Sequence, residues 1–302
     1  SAREDDSEKG QVPYTTLSGV RVVSPMMLPR DIGLATATAL DAFYERHPEG
    51  VDAFVAAKLG WTLAQATDGR LDGSQMDTLA LALDKVDDGS GFIVGSMTVA
   101  GKGRVMAALM AYHIKQGRVP VFLTAKANLF TAMWEDITAI GEADLFKPLV
   151  FNDYKAPKAD GDEEDENGFL MPQFFTPVQR NAAIADGKMP KGATVVFLTY
   201  SQVQNPTQST QRKITFVENV LRAGGGLVMD EAHLAAGSDS NTGAVLRHLT
   251  DLPKSGVVFS SATFAKRGEN MGLYKRAGYS GFFKDDEEME ETLAKGGVPY
   301  QQ

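Results

Sequence analysis

Short apolar runs alternate with longer stretches of helical period over most of the chain. After residue 90 the runs are Phe92–Val94, Val119–Leu123, Pro148–Phe151, Thr194–Tyr200, Leu227–Met229 and Val257–Ser260. Runs this short, with no polar alternation, belong to strands covered on both faces, as in a parallel sheet flanked by helices. Between them Phe130, Met133, Trp134, Ile137 and Ile140 fall on one helical stripe, which is core and leaves Trp134 no functional part. From about residue 30 to 88 the pattern is helical, with Ser74 and Asp77 spaced as a capping pair and Met76, Leu79, Ala80 and Leu83 on one face. The predicted fold class is α/β, a mainly parallel, doubly wound sheet with a helical N-terminal extension.

Four segments follow from this reading. Residues 1–18 are a polar, flexible lead-in, and residues 19–88 are the helical extension. Residues 89–282 form the sheet-bearing lobe, in which an acidic loop at about 155–172 lacks periodicity and is expected to be disordered. Residues 283–302 are an acidic linker. No internal repeat is visible.

Charge refines the picture. The formal net charge is −9, which by itself disfavours a polyanionic partner. Twelve of the acids, however, sit in two runs, Asp160, Asp162, Glu163, Glu164, Asp165, Glu166 and Asp285, Asp286, Glu287, Glu288, Glu290, Glu291, and without them the balance would be +3. The body is therefore mildly basic, and the runs are read as a solvated loop and tail. No apolar run approaches the 18 or so residues of a membrane span, and no secretory leader is visible, so a soluble, cytoplasmic protein is expected. The chain has no cysteine, which rules out disulfides, thiolate metal sites and cysteine nucleophiles.

Two places carry chemistry. Phe92-Ile93-Val94 leads into Gly95-Ser96-Met97-Thr98-Val99-Ala100-Gly101-Lys102-Gly103-Arg104 and then a helix rich in Ala, Met and Leu. A strand, a glycine-bearing turn, Gly-Lys and a helix start make the setting in which backbone N–H groups and a lysine cradle phosphates. The bare pattern fails twice: Ser96 stands for the first glycine, and Gly103 for the hydroxyl that normally reaches Mg²⁺. Read alone, Gly101 and Gly103 make a tight turn and Lys102 is a solvated charge. The second place reverses that reading. Asp230-Glu231-Ala232-His233 follows Leu227-Val228-Met229, and Ser261-Ala262-Thr263 follows Val257–Ser260. A carboxylate directly after buried strand residues lies at the carboxyl edge of a parallel sheet, where such folds bind ligands. Asp230 would hold Mg²⁺ through water, Glu231 would orient or deprotonate an attacking water, and Lys102 would offset phosphate charge. The plain alternatives are a helix-start acid at Glu231, a packed polar side chain at His233 and ordinary caps at Ser261 and Thr263.

With these pieces in place the chain resembles the superfamily 2 helicases and translocases of the DEAH type, and more closely their strawberry-notch-like branch found in phage and mobile-element proteins. The resemblance covers roughly residues 70–300. It rests on Gly101-Lys102-Gly103-Arg104, Pro120-Val121-Phe122-Leu123-Thr124, Leu198-Thr199-Tyr200-Ser201-Gln202 and Asp230–His233 with Ala236-Gly237. Ser261-Ala262-Thr263-Phe264-Ala265-Lys266-Arg267 and Met271, Leu273 and Tyr274 extend it. It implies a RecA-like P-loop NTPase fold, the first of two motor lobes, with ATP and Mg²⁺ as cofactors. Gln75 would read adenine, and Gly95, Thr98, Gly101, Lys102, Gly103 and Arg104 would form the phosphate loop. Thr124 and Lys126, then Thr199, Tyr200 and Gln202, would touch nucleic acid. His233, Ser261 and Thr263 would couple the two sites. DNA is the implied partner, with RNA left open, in a bacterial or phage-infected cytoplasm.

The chain also departs from that pattern. The branch carries an acidic residue and a further glycine in the loop, where this chain has Ser96 and Val99. A β-branched residue resists positive φ, so ATP binding is expected to be weakened or reshaped. Only 39 residues follow Thr263, too few for a second lobe. The resemblance therefore implies that a second RecA-like lobe is supplied from elsewhere and that ATPase activity of this lobe alone is poor. The competing expectation is a catalytically weak or non-enzymatic nucleotide-binding scaffold in a phage defence or anti-defence assembly.

Overall fold

The computed structural model describes residues 11–13, 15–22, 27–89, 91–94, 99–158, 165–204, 207–231 and 240–260. Six strands form one sheet: β3 (Phe92–Val94), β4 (Pro120–Thr124), β5 (Pro148–Val150), β6 (Val195–Thr199), β7 (Gly226–Asp230) and β8 (Val257–Ser260). Their spatial order is β3-β8-β7-β4-β6-β5, and every pairing is parallel, as the unbroken apolar runs predict. A two-residue antiparallel-type turn cannot join parallel neighbours, so each strand from β3 to β7 is followed by a helix. The exception to the parallel pattern lies outside this sheet, where β1 (Gln11–Pro13) pairs antiparallel with β2 (Met27–Pro29).

The alternation of side chains along each strand divides the core in two. Phe122, Phe197, Val228 and Val258 point to one face, with Phe122, Phe130 and Phe197 in ring contact at 5.3–6.4 Å. That face is covered by α5 (Val99–Lys115) and α6 (Leu129–Ala139), and behind them by the helical extension α1 (Arg30–Arg46), α2 (Val51–Leu59), α3 (Leu63–Ala66) and α4 (Gly73–Val86). Val121, Leu123, Val196, Leu198, Leu227, Met229, Val257 and Phe259 point the other way. They meet α7 (Pro177–Asp186), α8 (Gln208–Arg222) and α9 (Ser240–Thr250). Strands β4, β6 and β7 are buried along their whole length, and each such apolar side chain contributes about 1.5–3 kcal/mol. The result is a three-layer α/β/α lobe consistent with the RecA-like class.

The extension is keyed to the lobe by polar groups as well as by packing. Trp61 Nε1 and Lys115 Nζ both donate to Glu142 Oε1 at 2.5 Å. The start of α4 differs from the expected Ser74–Asp77 pair: Asp72 is the N-cap, accepting from the Gln75 N–H, while the Gln75 side chain accepts from the Asp72 N–H. Asp77 is fully buried and accepts instead from the N–H groups of Leu17 and Ser18, both at 2.9 Å. Part of the connection between β5 and α7 also enters the core: Phe169 is fully buried and meets Phe130 edge-on at 5.3 Å.

Candidate nucleotide site

Parallel pairing sets the ends of the central strands side by side. Val94 is in register with Ser260, Ser260 with Asp230, and, two strands along, Thr124 with Thr199. Helix α5 begins shortly after β3, at Val99, so Gly101 falls among the first N–H groups, which lack intrahelical partners, and Lys102 and Gly103 follow it directly. Val99 is therefore helical, and the positive φ that its β-branch would resist does not arise there.

Lys102 and the acid pair meet although they are 129 residues apart in the case of Glu231. The Lys102 ammonium donates to Glu231 Oε1 at 2.8 Å and stands 3.6 Å from Asp230 Oδ1. The Lys102 and Asp230 side chains are 7% and 9% exposed and Glu231 is 20% exposed, so the cluster opens toward solvent on the Glu231 side. Glu231 has φ +52°, the one non-glycine residue with positive φ among the described residues. Such a backbone costs about 1–3 kcal/mol, and strain of this kind collects at functional sites.

Asp230 is held from three directions. Thr124 Oγ1 donates to its Oδ2 at 3.3 Å, the Tyr200 hydroxyl donates to its carbonyl at 2.7 Å, and Ser260 flanks it across the β7–β8 register. Its Oδ1 is buried and makes no well-formed hydrogen bond among the described residues: the ammonium at 3.6 Å is beyond reach, and the Ser260 hydroxyl and Glu231 N–H stand near enough to the carboxylate only to ease its charge. Burial raises the Asp230 carboxyl above the ordinary carboxylate range; Lys102 pulls it down and Glu231 pushes it further up. A buried carboxylate oxygen without a donor fits a hard cation or its bound water. Among the described residues no group of three or more His, Asp or Glu could cage a metal unaided, so Mg²⁺ would arrive with a nucleotide's own oxygens.

The other expected site residues are placed unevenly. Gln75 is buried and reaches the loop, but its amide donates to the Gly101 carbonyl at 3.1 Å while its oxygen caps α4. Arg104 donates to the Arg70 carbonyl at 3.0 Å and stands 3.8 Å from Asp136. Thr124 and Thr199 are buried at the strand tips, Thr199 bonded to Asn152 at 2.9 Å. Tyr200 is turned inward and is 4% exposed. Lys126 is 38% exposed and pairs with Glu166 at 2.8 Å, and Gln202 accepts from Lys213 at 2.7 Å. Gly95, Ser96, Thr98, His233, Ser261 and Thr263 lie outside the described residues.

Sequence reasoning passed over Asp136. This α6 residue lies against the first turn of α5, and burial raises its carboxyl to about 6, with Arg104 opposing the rise and Glu135 and Asp230 adding to it. Its signal in the sequence is indirect: the hydroxyl that position 103 lacks.

Comparison with known proteins bears on the class of protein. The family described as P-loop containing NTP hydrolase pore-1 matches residues 56–301. The chain is similar to protein strawberry notch homolog 1 of Gallus gallus, 25% identical over 253 residues, which cover 76% of this chain and 18% of that protein. It is 28% identical to protein strawberry notch homolog 2 of Mus musculus over 219 residues, 69% of this chain and 14% of that protein. Protein strawberry notch of Drosophila melanogaster is 26% identical over 244 residues, 74% of this chain and 13% of that protein. The chain thus spans less than a fifth of the length of these relatives. No helix among the described residues is long and apolar enough to cross a membrane.

Proposed function

Since the chain belongs to the P-loop containing NTP hydrolase pore-1 family, we propose that it is the first motor lobe of an ATP-dependent DNA helicase or translocase of the DEAH type. The observation that carries this reading is the meeting of Lys102 with Asp230 and Glu231 at 3.6 and 2.8 Å. One ammonium and two strand-tip carboxylates at the start of a helix suit the binding and hydrolysis of a triphosphate.

Each side chain has a part. Without nucleotide, the Lys102 ammonium neutralises the acid pair. A triphosphate offers that ammonium stronger anions, and its transfer to phosphate leaves Glu231 free to take the proton of an attacking water. The strained turn at Glu231 holds the carboxylate away from the strand axis, toward Lys102. Asp230 Oδ1 would hold Mg²⁺ through water, and the ion when bound would neutralise charge on the β- and γ-phosphates. Thr124 and Tyr200 keep Asp230 in place from the β4 and β6 ends.

Those same strand ends supply the route to nucleic acid. Thr124 ends β4 with Lys126 just beyond it, and Thr199 ends β6 with Tyr200 to Gln202 beyond it, all on the edge that carries Asp230. A phosphate backbone crossing there would load Thr124 and Tyr200, which brace the acid, and this is how a second lobe's movement on DNA would be felt at the ATP. Binding would be salt-sensitive and largely independent of sequence. DNA and a second RecA-like lobe are the partners this reading calls for, since the motor cycle needs a track and a second face on the nucleotide.

The test is titration of labelled ATP with Mg²⁺ into this chain beside Lys102→Ala, followed by Glu231→Gln in a two-lobe protein. Saturable binding lost in Lys102→Ala, with nucleotide retained and turnover abolished in Glu231→Gln, is the expected result. Equal, negligible binding by both chains would instead favour a scaffold without nucleotide chemistry.

A further inference from the structure

We propose that the Asp136 carboxylate takes the place of the hydroxyl missing from position 103 and is a second protein oxygen for the divalent cation that accompanies the nucleotide. This rests on the hydrolase reading above and names a residue for its metal.

The argument begins with space. A Cβ built on Gly103 would lie 2.0 Å from Asp136 Oδ2 and 3.0 Å from its Cγ. That is little more than one covalent bond, so the carboxylate oxygen occupies the volume that a serine or threonine side chain at 103 would fill. Glycine at 103 and aspartate at 136 are thus one arrangement: the oxygen is delivered from α6, across the helix–helix contact, and the loop residue gives up its side chain to admit it.

The chemistry of the carboxylate fits the part. The Asp136 side chain is 23% exposed, and among the described residues its carboxylate has no hydrogen-bond donor; Arg104 pairs with it at 3.8 Å, beyond hydrogen-bond length. Its oxygens therefore keep their acceptor capacity, which a hard cation or its water would use. A second feature, within electrostatic range of Asp136, also suits a cation. Asp230, buried and on a different element, has its Oδ1 without a well-formed hydrogen bond among the described residues, and its charge acts on Asp136. A carboxylate also differs from a hydroxyl in sign. It adds a negative charge beside the triphosphate, so it should strengthen the cation's hold and weaken nucleotide binding when no cation is present. A packing role alone, clamping α5 to α6 through Arg104, makes neither prediction.

The experiment measures the affinity of this chain for a fluorescent ATP analogue with Mg²⁺ and with EDTA, in the wild type, Asp136→Asn, Gly103→Ser and the double variant Gly103→Ser/Asp136→Ala. The wild type should bind far more tightly with Mg²⁺. Asp136→Asn should lower the ratio of the two affinities by about tenfold or more, the scale of losing a metal-supporting group, while its binding in EDTA equals or exceeds the wild type's. Gly103→Ser alone should bind poorly because its side chain meets Asp136, and the double variant should recover the Mg²⁺ preference. An unchanged ratio in Asp136→Asn, or a double variant no better than Gly103→Ser, overturns the inference and leaves the hydrolase reading standing. A wild type that binds nucleotide under neither condition removes both.

Discussion

Removing the Lys102 ammonium from the nucleotide-free protein should expose how far the acid pair depends on it. Exposed ion pairs are worth about 0–1 kcal/mol, and stripping one partner from a buried pair costs about 3–5 kcal/mol. Lys102 and Asp230 lie at the buried end of that range, at 7% and 9% exposure, whereas Glu231 at 20% is partly hydrated. Lys102→Ala should therefore lower stability by about 2–4 kcal/mol at pH 8, read by urea unfolding. The sign of the pH dependence follows from Asp230. Its folded carboxyl is already raised by burial above the ordinary value of 3.8, so the folded state holds a proton more readily than the unfolded chain. As pH falls through the raised folded value toward 3.8, this group's penalty is relieved, and without the lysine the relief is larger. The deficit of Lys102→Ala should thus shrink at pH 5.5, and Asp230→Asn added to it should recover much of the loss at pH 8. A variant within about 0.5 kcal/mol of the wild type at both pH values would place the ammonium in solvent and refute the reasoning.

Two further predictions concern the support behind the site. His113 is fully buried at the foot of α5, and burial holds its imidazole down to about 3, with Arg118 adding to the depression and Asp87 opposing it. The neutral ring in the folded state takes up protons only when unfolded between pH 6.5 and about 3, so stability should fall by roughly 2 kcal/mol from pH 7 to pH 5 on this account; His113→Gln should flatten that slope in acid-dependent melts, and an unaltered slope would assign it elsewhere. Gly226 opens β7 beneath the same ring, and a Cβ there would lie 2.4 Å from His113 Cε1 and Nε2. Gly226→Ala should cost about 1–3 kcal/mol or more by overpacking, measured by thermal unfolding, and a neutral result would mean that the ring has room to move.

The strands were legible because a side chain in a sheet covered on both faces must be apolar on both, and runs such as Leu227–Met229 and Val257–Ser260 have no other economical home. Lys102, Asp230 and Glu231 were legible for a related reason: each follows directly on such a run or its turn, and parallel strands bring their ends to one edge. The N-cap of α4 was misread because Ser74 is as good a cap by type as Asp72, and the choice is made by Gln75, whose side chain returns to the Asp72 N–H and also reaches Gly101. Local spacing does not contain that second, tertiary bond.

What remained hidden depends on lateral order, which chain order does not state. The family resemblance implies that Thr124 and Tyr200, at the ends of β4 and β6, touch nucleic acid, yet with β4 beside β7 both also brace Asp230. A residue at a strand tip has two audiences, the solvent edge above it and the neighbouring strand beside it, and only the sheet order decides how its hydrogen bonds are divided. Asp136 is the sharper instance. On its own helix it is one more acid beside an apolar stripe; it acquires meaning only when α6 is laid against α5 and its Oδ2 is found 2.0 Å from where a Gly103 side chain would begin. An anomaly in one motif was thus half of a pair, and its complement could be found only in space. The same logic suggests where else to look in a divergent phosphate loop: a lost side chain at a position that chemistry needs should be matched by an oxygen arriving from the helix packed against it.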